Sequence, residues 1–349
     1  MTGAARLRET QFDPALLPGA RNAVECCLRI RPEEKTTLIT DNACAEIAAA
    51  LASELESRGL RYNAFVLEDL APRPLSDMPR EVLDDMETSD VSIFAVKAQE
   101  HELRTRMQMT DVVNRRKMRH AHMVNIDRRI MVEGMRANFE EVDRISTQVW
   151  QMASQAREIR ATNPAGTDIV GRFSPQLKWL KTSGIISPHK WGNLPGGETF
   201  TTPENVDGTF VIDGVVGDYL CEKYGDLGET PLTIEVSNSR LMDARCDNAA
   251  LRDDFWRYCH TDENSDRVGE FAIGTNIGVR DVIGNILQDE KIPGIHIAFG
   301  NPYGAHTGAD WYSATHIDVV GRKFDIWIDG RQIMSGGAFL LDSLTPPMV

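Results

Sequence analysis

Between residues 35 and 126 short β-branched runs alternate with helical stretches, and this alternation restricts the fold more than any other feature of the sequence. Lys35-Thr-Thr-Leu-Ile-Thr40, Arg61-Tyr-Asn-Ala-Phe-Val-Leu67, Val91-Ser-Ile-Phe-Ala-Val96 and Met123-Val-Asn-Ile126 read as strands. The stretches between them read as helices over 43–58, 80–86 and about 100–119. Asp41 or Asn42 can cap the first of these, and Gly59 stops it. Strands joined by crossover helices pair in parallel, so this region is expected to form a parallel sheet covered by helices. A helix over 20–30, ended by Pro32, precedes it, and a long helix over 139–158 follows. The basic run Asn114-Arg-Arg-Lys-Met-Arg-His120 reads as a solvated helix face.

From Arg160 onward helices thin out, turns multiply and short strands dominate. Strands are expected over 208–214, 231–237 and 323–330, the last completing the same sheet as the histidine-bearing strands described below, while the apolar stretch 271–276 leads toward a short helix. Helices are expected over 248–260 and near 281–287. The fold class is therefore α/β. An N-terminal parallel-sheet domain over 1–155 precedes a C-terminal mixed α+β metal-binding domain over 156–349.

The segment from Gly294 to Gly321 carries the chemistry. His316 and Asp318 stand two apart in Thr315-His-Ile-Asp-Val-Val320, so a strand sends both to one face. His296 lies in another strand-like run, Ile295-His-Ile-Ala-Phe299. Upstream, Glu198 sits in the Gly/Pro-rich loop Asn193-Leu-Pro-Gly-Gly-Glu-Thr-Phe-Thr-Thr-Pro203, and Glu270 in Gly269-Glu-Phe-Ala-Ile-Gly-Thr-Asn276. Two imidazoles and three carboxylates suit a divalent transition metal, and they can hold two ions if one carboxylate bridges.

These segments resemble the M29 family of metallo-aminopeptidases, the thermophilic aminopeptidase T type. The resemblance covers roughly residues 155–340, and the chain is shorter than the typical family peptidase. It places metal ligands at Glu198, Glu270, His296, His316 and Asp318, with Glu270 bridging two divalent ions such as Zn, Co or Mn. The family tyrosine falls on Tyr303, in Asn301-Pro-Tyr303. Tyr303 is then expected to donate a hydrogen bond to the developing oxyanion or to bind metal, and Glu270 to take part in catalysis. The resemblance implies hydrolysis of N-terminal residues from small peptides, with other amides as the nearby alternative, and a homodimer. A second resemblance is to the 2,5-dihydroxypyridine 5,6-dioxygenases. In that reading His296, His316 and Asp318 hold one Fe(II). Glu270 and Glu198 depart from it and favour the hydrolase. A non-catalytic metal-binding protein is the third alternative, disfavoured because buried carboxylates are costly unless they coordinate something.

Composition narrows the partners. The 349 residues carry a net charge of −14, against the basic surface that nucleic acid demands. No apolar run reaches 18 residues, so no membrane-spanning helix is expected, and the N-terminal segment has no secretory apolar core. Cys26, Cys27, Cys44, Cys221, Cys246 and Cys259 form no C-x-x-C pair and read as reduced thiols of a cytoplasmic protein. No phosphate-binding glycine motif occurs in the N-terminal region. His306, in a glycine-flanked loop, and His189 and Lys190, ahead of the Glu198 loop, are secondary candidates for proton transfer or substrate contact. His101, His120 and His122 have no carboxylate at ligand spacing.

Overall fold

The computed structural model describes residues 2–188 and 192–341. Two compact units divide the chain: residues 1–140 with 184–196, and residues 141–183 with 197–349.

The first unit is built on a five-stranded sheet. Its order is Arg61–Val66, Lys35–Thr40, Val91–Val96, Arg119–Val124 and Gly192–Asn193, each pair parallel. Every residue of Val91–Val96 is buried, the near-continuous apolar run that a strand covered on both faces requires. The Ala-rich helix Ala45–Ser57 buries Ile47, Leu51 and Leu55 along with its alanines. The expected fourth strand is displaced toward the N-terminus. The helix Leu103–Arg116 ends because Lys117 adopts a left-handed conformation, φ 54°, so the strand begins at Arg119. Arg119 therefore lies inside rather than on a solvated face. Its guanidinium pairs with Glu34 and donates to the carbonyls of Leu28 and Arg29 at 2.7 and 2.8 Å. The early helix also differs from a simple α-helix, since Leu17–Arg21 continues into a π-helical turn, Asn22–Cys27.

The second unit contains two antiparallel sheets. One has eight strands, running from Arg240–Arg245 at one edge to Ala338–Phe339 at the other. Asp325–Ile328 pairs in it with Glu158–Thr162, so the segment expected to close the histidine-bearing sheet belongs to the other one. The second sheet has five strands, in the order His316–Val320, Gly294–Gly300, Val268–Gly274, Glu198–Thr201 and Leu180–Thr182. Alternation along these strands separates core from site. The odd-numbered residues Phe271, Ile273, Ile295, Ile297, Phe299, Ile317 and Val319 join an apolar cluster with Phe173, Phe210 and Phe324. Phe271 meets Phe173 edge-on at 5.3 Å, and Phe255 meets Phe299 at 6.1 Å. Each such ring contributes roughly 1.5–3 kcal/mol of burial, which pins the register of the sheet.

Candidate metal centre

The even-numbered face of the five-stranded sheet holds the polar residues. Glu270 lies across from Ala298, which lies across from Asp318, and His296 and His316 flank this row on the same face. Glu198 pairs with Gly274 on the strand beyond. Four adjacent strands thus deliver five side chains to one surface. At its start, Glu198 follows Gly197, whose φ of 131° and approach to Asn276 leave no room for a side chain: a Cβ there would lie 2.6 Å from the Asn276 Cβ and 2.8 Å from its nitrogen.

Glu270 stands between the two histidines. Its Oε1 is 3.3 Å from His296 Nε2, and its Oε2 is 3.8 Å from His316 Nε2. His316 Nε2 also lies 3.4 Å from Asp318 Oδ1, and His296 Nε2 lies 3.7 Å from Glu198 Oε2. The other nitrogen of His316, Nδ1, is 3.0 Å from the Asn301 carbonyl, to which it donates, so the neutral ring offers Nε2 toward the carboxylates. Among the described residues three donor triads form: Glu198–Glu270–His296, Glu270–His316–Asp318 and Glu290–His296–Asp318, each with its ligand atoms within 4.8 Å of one another. Glu198, Glu270, His296 and Asp318 are all buried. All five residues expected as ligands are therefore brought together.

The electrostatics of this surface favour positive charge. Burial opposes the His316 imidazolium, but Asp318 outweighs it and raises the pKa to about 10. Burial likewise opposes a charged His296, and the carboxylates of Glu270 and Glu198 raise its pKa. Burial opposes the Asp318 carboxylate too, but His316 draws its pKa down to about 2. The field that favours a proton on these rings also favours a divalent cation. Oxygen and imidazole donors with no thiol in any triad match divalent zinc, manganese, cobalt or iron, so the residues present fit the implied metal.

Tyr303 lies beside this cluster. Its ring centroid is 4.6 Å from that of His316, and it is 41% exposed, so a substrate can reach it. Burial, then the carboxylates of Glu270 and Asp318, push its phenol well above the usual value, which keeps it a proton donor. His306 is exposed on the short helix Gly304–Thr307 and joins none of the triads. His189 and Lys190 lie outside the described residues.

Two residues of the centre have no sequence signal of their own. Glu290 and Lys291 belong to Gln288-Asp-Glu-Lys291, a charged run that by default is solvated. Here Gln288, Asp289 and Lys291 are buried. Asp289 accepts from the backbone nitrogens of Ile283, Gly284 and Asn285 at 2.8–2.9 Å, which ties the run inward. Lys291 Nζ lies 2.7 Å from Glu198 Oε1 and 2.5 Å from Glu290 Oε1. Burial disfavours this ammonium, yet Glu198 and Glu290 raise its pKa above the ordinary value. The only available clue is position, just ahead of Pro293-Gly294 and the His296 strand.

A buried, thiol-free set of carboxylates and imidazoles on one sheet face could hold divalent metal ions. The chain belongs to the thermophilic metalloprotease (M29) family, whose profile matches residues 136–322 and so spans every residue of the three triads. Metal-dependent peptide hydrolysis is the activity class that this membership supports. The fold is shared with two solved structures. A 2,5-dihydroxypyridine dioxygenase from Pseudomonas putida KT2440 aligns with TM-score 0.69 and 14% identity, over 95% of this chain and 99% of that one. Wild-type AmpT from Thermus thermophilus aligns with TM-score 0.68 and 16% identity, over 95% of this chain and 100% of that one. No curated protein matches the chain. No helix among the described residues is long and apolar enough to cross a membrane.

Proposed function

We propose that the chain is an aminopeptidase, removing N-terminal residues from small peptides with two divalent cations that share Glu270. The observation that carries this reading is the placement of the two Glu270 oxygens, one toward His296 and the other toward His316. Glu198 and His296 would complete one position, and His316 and Asp318 the other. Zinc, cobalt or manganese bound there would lower the pKa of a water and polarise the scissile carbonyl. Tyr303, protonated and half-exposed, donates a hydrogen bond to the oxyanion that develops on that carbonyl. The acidic face also attracts the free ammonium of a peptide N-terminus, which supports exopeptidase action. Cys26, Cys27, Cys44, Cys221, Cys246 and Cys259, read as reduced thiols, support a reducing, cytoplasmic setting, and the family resemblance supports a homodimer.

A ring-cleaving dioxygenase would use His296, His316 and Asp318 for a single Fe(II), leaving Glu198 and Glu270 without a role at the metal. The position of Glu270 between the two histidines supports the hydrolase instead. The test is metal content per chain, without chelator, in the wild type and in Glu198→Ala, together with hydrolysis of aminoacyl anilides. Two ions falling to one in the variant, with anilide turnover in the wild type, is the expected result. One iron per chain in both proteins, with oxygen uptake on a dihydroxylated pyridine, would falsify the proposal.

A further inference from the structure

The donor set contains a cation of its own. Lys291 is 1% exposed, and both of its ion pairs fall on carboxylates of triads that contain His296. Glu198 turns Oε2 toward His296 while its Oε1 is occupied by Lys291 Nζ at 2.7 Å and by the Thr182 hydroxyl at 2.8 Å. Glu290 is tied to the same ammonium. The opposite triad, Glu270–His316–Asp318, draws none of its members from this pairing.

The lysine is held in place by its backbone. Its carbonyl accepts from the Asn276 nitrogen at 3.0 Å, and its nitrogen donates to the Gln288 carbonyl at 2.8 Å. Gly274, opposite Glu198 in the sheet, has no side chain because a Cβ there would lie 2.0 Å from the Ile292 carbonyl oxygen. The sheet is thus cut away at the point where the Lys291 segment comes against it. A long, strongly hydrated ammonium is normally kept at the surface, and here the chain spends a glycine and a buried loop to bring one to the centre.

We propose that Lys291 is a fixed monocation that makes the two metal positions unequal, weakening the one formed by Glu198, Glu270 and His296 and leaving the one formed by Glu270, His316 and Asp318 as the tight position. The physical reason is twofold. A positive charge one carboxylate away repels a divalent ion through a medium that screens poorly. The same charge also occupies one oxygen of Glu198 and one of Glu290, leaving each carboxylate a single oxygen for a metal. Lys291 acts through Glu198 and is a positioning residue. The inference rests on the two-cation reading above.

The test is calorimetric titration of the metal-free full chain with Mn2+, comparing the wild type with Lys291→Met. The wild type is expected to bind one ion tightly and a second at least tenfold more weakly. Lys291→Met, which removes the charge and frees Glu290, tightens the weaker ion at least tenfold and leaves the tight one within threefold. One ion in the wild type and two in the variant would be the same result in its stronger form. Two ions of equal affinity in the wild type, or a weaker ion unchanged or weakened by Lys291→Met, would overturn this inference and leave the two-cation reading standing. A single ion in both proteins would sink the two together. Should Lys291→Met not fold, Co2+ absorption decides: Glu198→Ala retains the spectrum of the first equivalent and His316→Ala loses it, and the reverse pattern overturns the proposal.

Discussion

Among the described residues two pairs of histidines lie wholly or partly inside, and their pKa values shift in opposite directions. His120 and His122 lie two apart on Arg119–Val124, where His120 Nδ1 meets the Ser92 hydroxyl at 2.7 Å and His122 stacks on Phe94 at 5.5 Å. Burial, then the other ring, lowers the pKa of His120 well below the ordinary value, and burial, then Arg106, lowers that of His122 to about 3. His296, buried, and His316, partly buried, lie among carboxylates, and their pKa values rise. Burial alone always expels the charge from an imidazole. The neighbouring carboxylates reverse the sign, and the same field favours a divalent cation. The first pair serves packing, and the second is the pair we propose to ligate metal.

The largest effect that sharpens this contrast is expected from Glu270→Ala. It removes the group facing both site histidines, so kcat/KM should fall by at least about 100-fold, with loss of bound metal. His122→Phe, in the other pair, should leave both within about twofold; a large loss of activity there would break the comparison. Tyr303→Phe should follow, with kcat lower by roughly 100-fold and metal content by elemental analysis unchanged. Loss of metal in that variant would make Tyr303 a ligand instead of a hydrogen-bond donor.

The two pairs also predict opposite pH limbs of stability in the metal-free protein. The His316 pKa rises from 6.5 to about 10 on folding, so its contribution is complete below 6.5 and is lost as pH rises through 10. The His122 pKa falls from 6.5 to about 3, because the unfolded chain takes up a proton that the folded one refuses; stability falls as pH drops from 6.5 toward 3. Thermal melts across this range should show divalent cation flattening the alkaline limb and His122→Phe flattening the acid one. An alkaline limb indifferent to metal would show that His316 is not a ligand. The smallest effect is expected from His306→Ala. This exposed side chain joins none of the triads, and steady-state kinetics should change by less than about twofold.

Legibility followed periodicity. Lys35–Thr40 and Val91–Val96 are β-branched runs bounded by clear breakers, and both form as the sequence predicts. Glu158–Thr162, Asp168–Arg172 and Leu180–Thr182 carry charges on alternate or flanking positions and gave no such run; their pairing partners decide that they are strands. The proposed ligands stand out in the sequence because His316-Ile-Asp318 and His296 sit in apolar strands where polar side chains are conspicuous. Glu290 and Lys291 were not, because a buried charged run and a solvated one have the same letters.

Which residue types share a face is already written in the order of residues along each strand. Strand alternation, fixed by the two-residue repeat, sends Glu270, His296, His316 and Asp318 to the polar side and the odd-numbered apolar residues to the core. Only the tertiary structure decided which of these meet. Strand order and register set Glu270 between two histidines that are twenty residues apart in the chain, and Gly274 admits a lysine that arrives from a loop. The physical reason is range: side-chain direction is local to a strand, whereas the field that charges a histidine or seats a cation comes from groups brought close by pairing and packing, at separations the sequence does not encode locally.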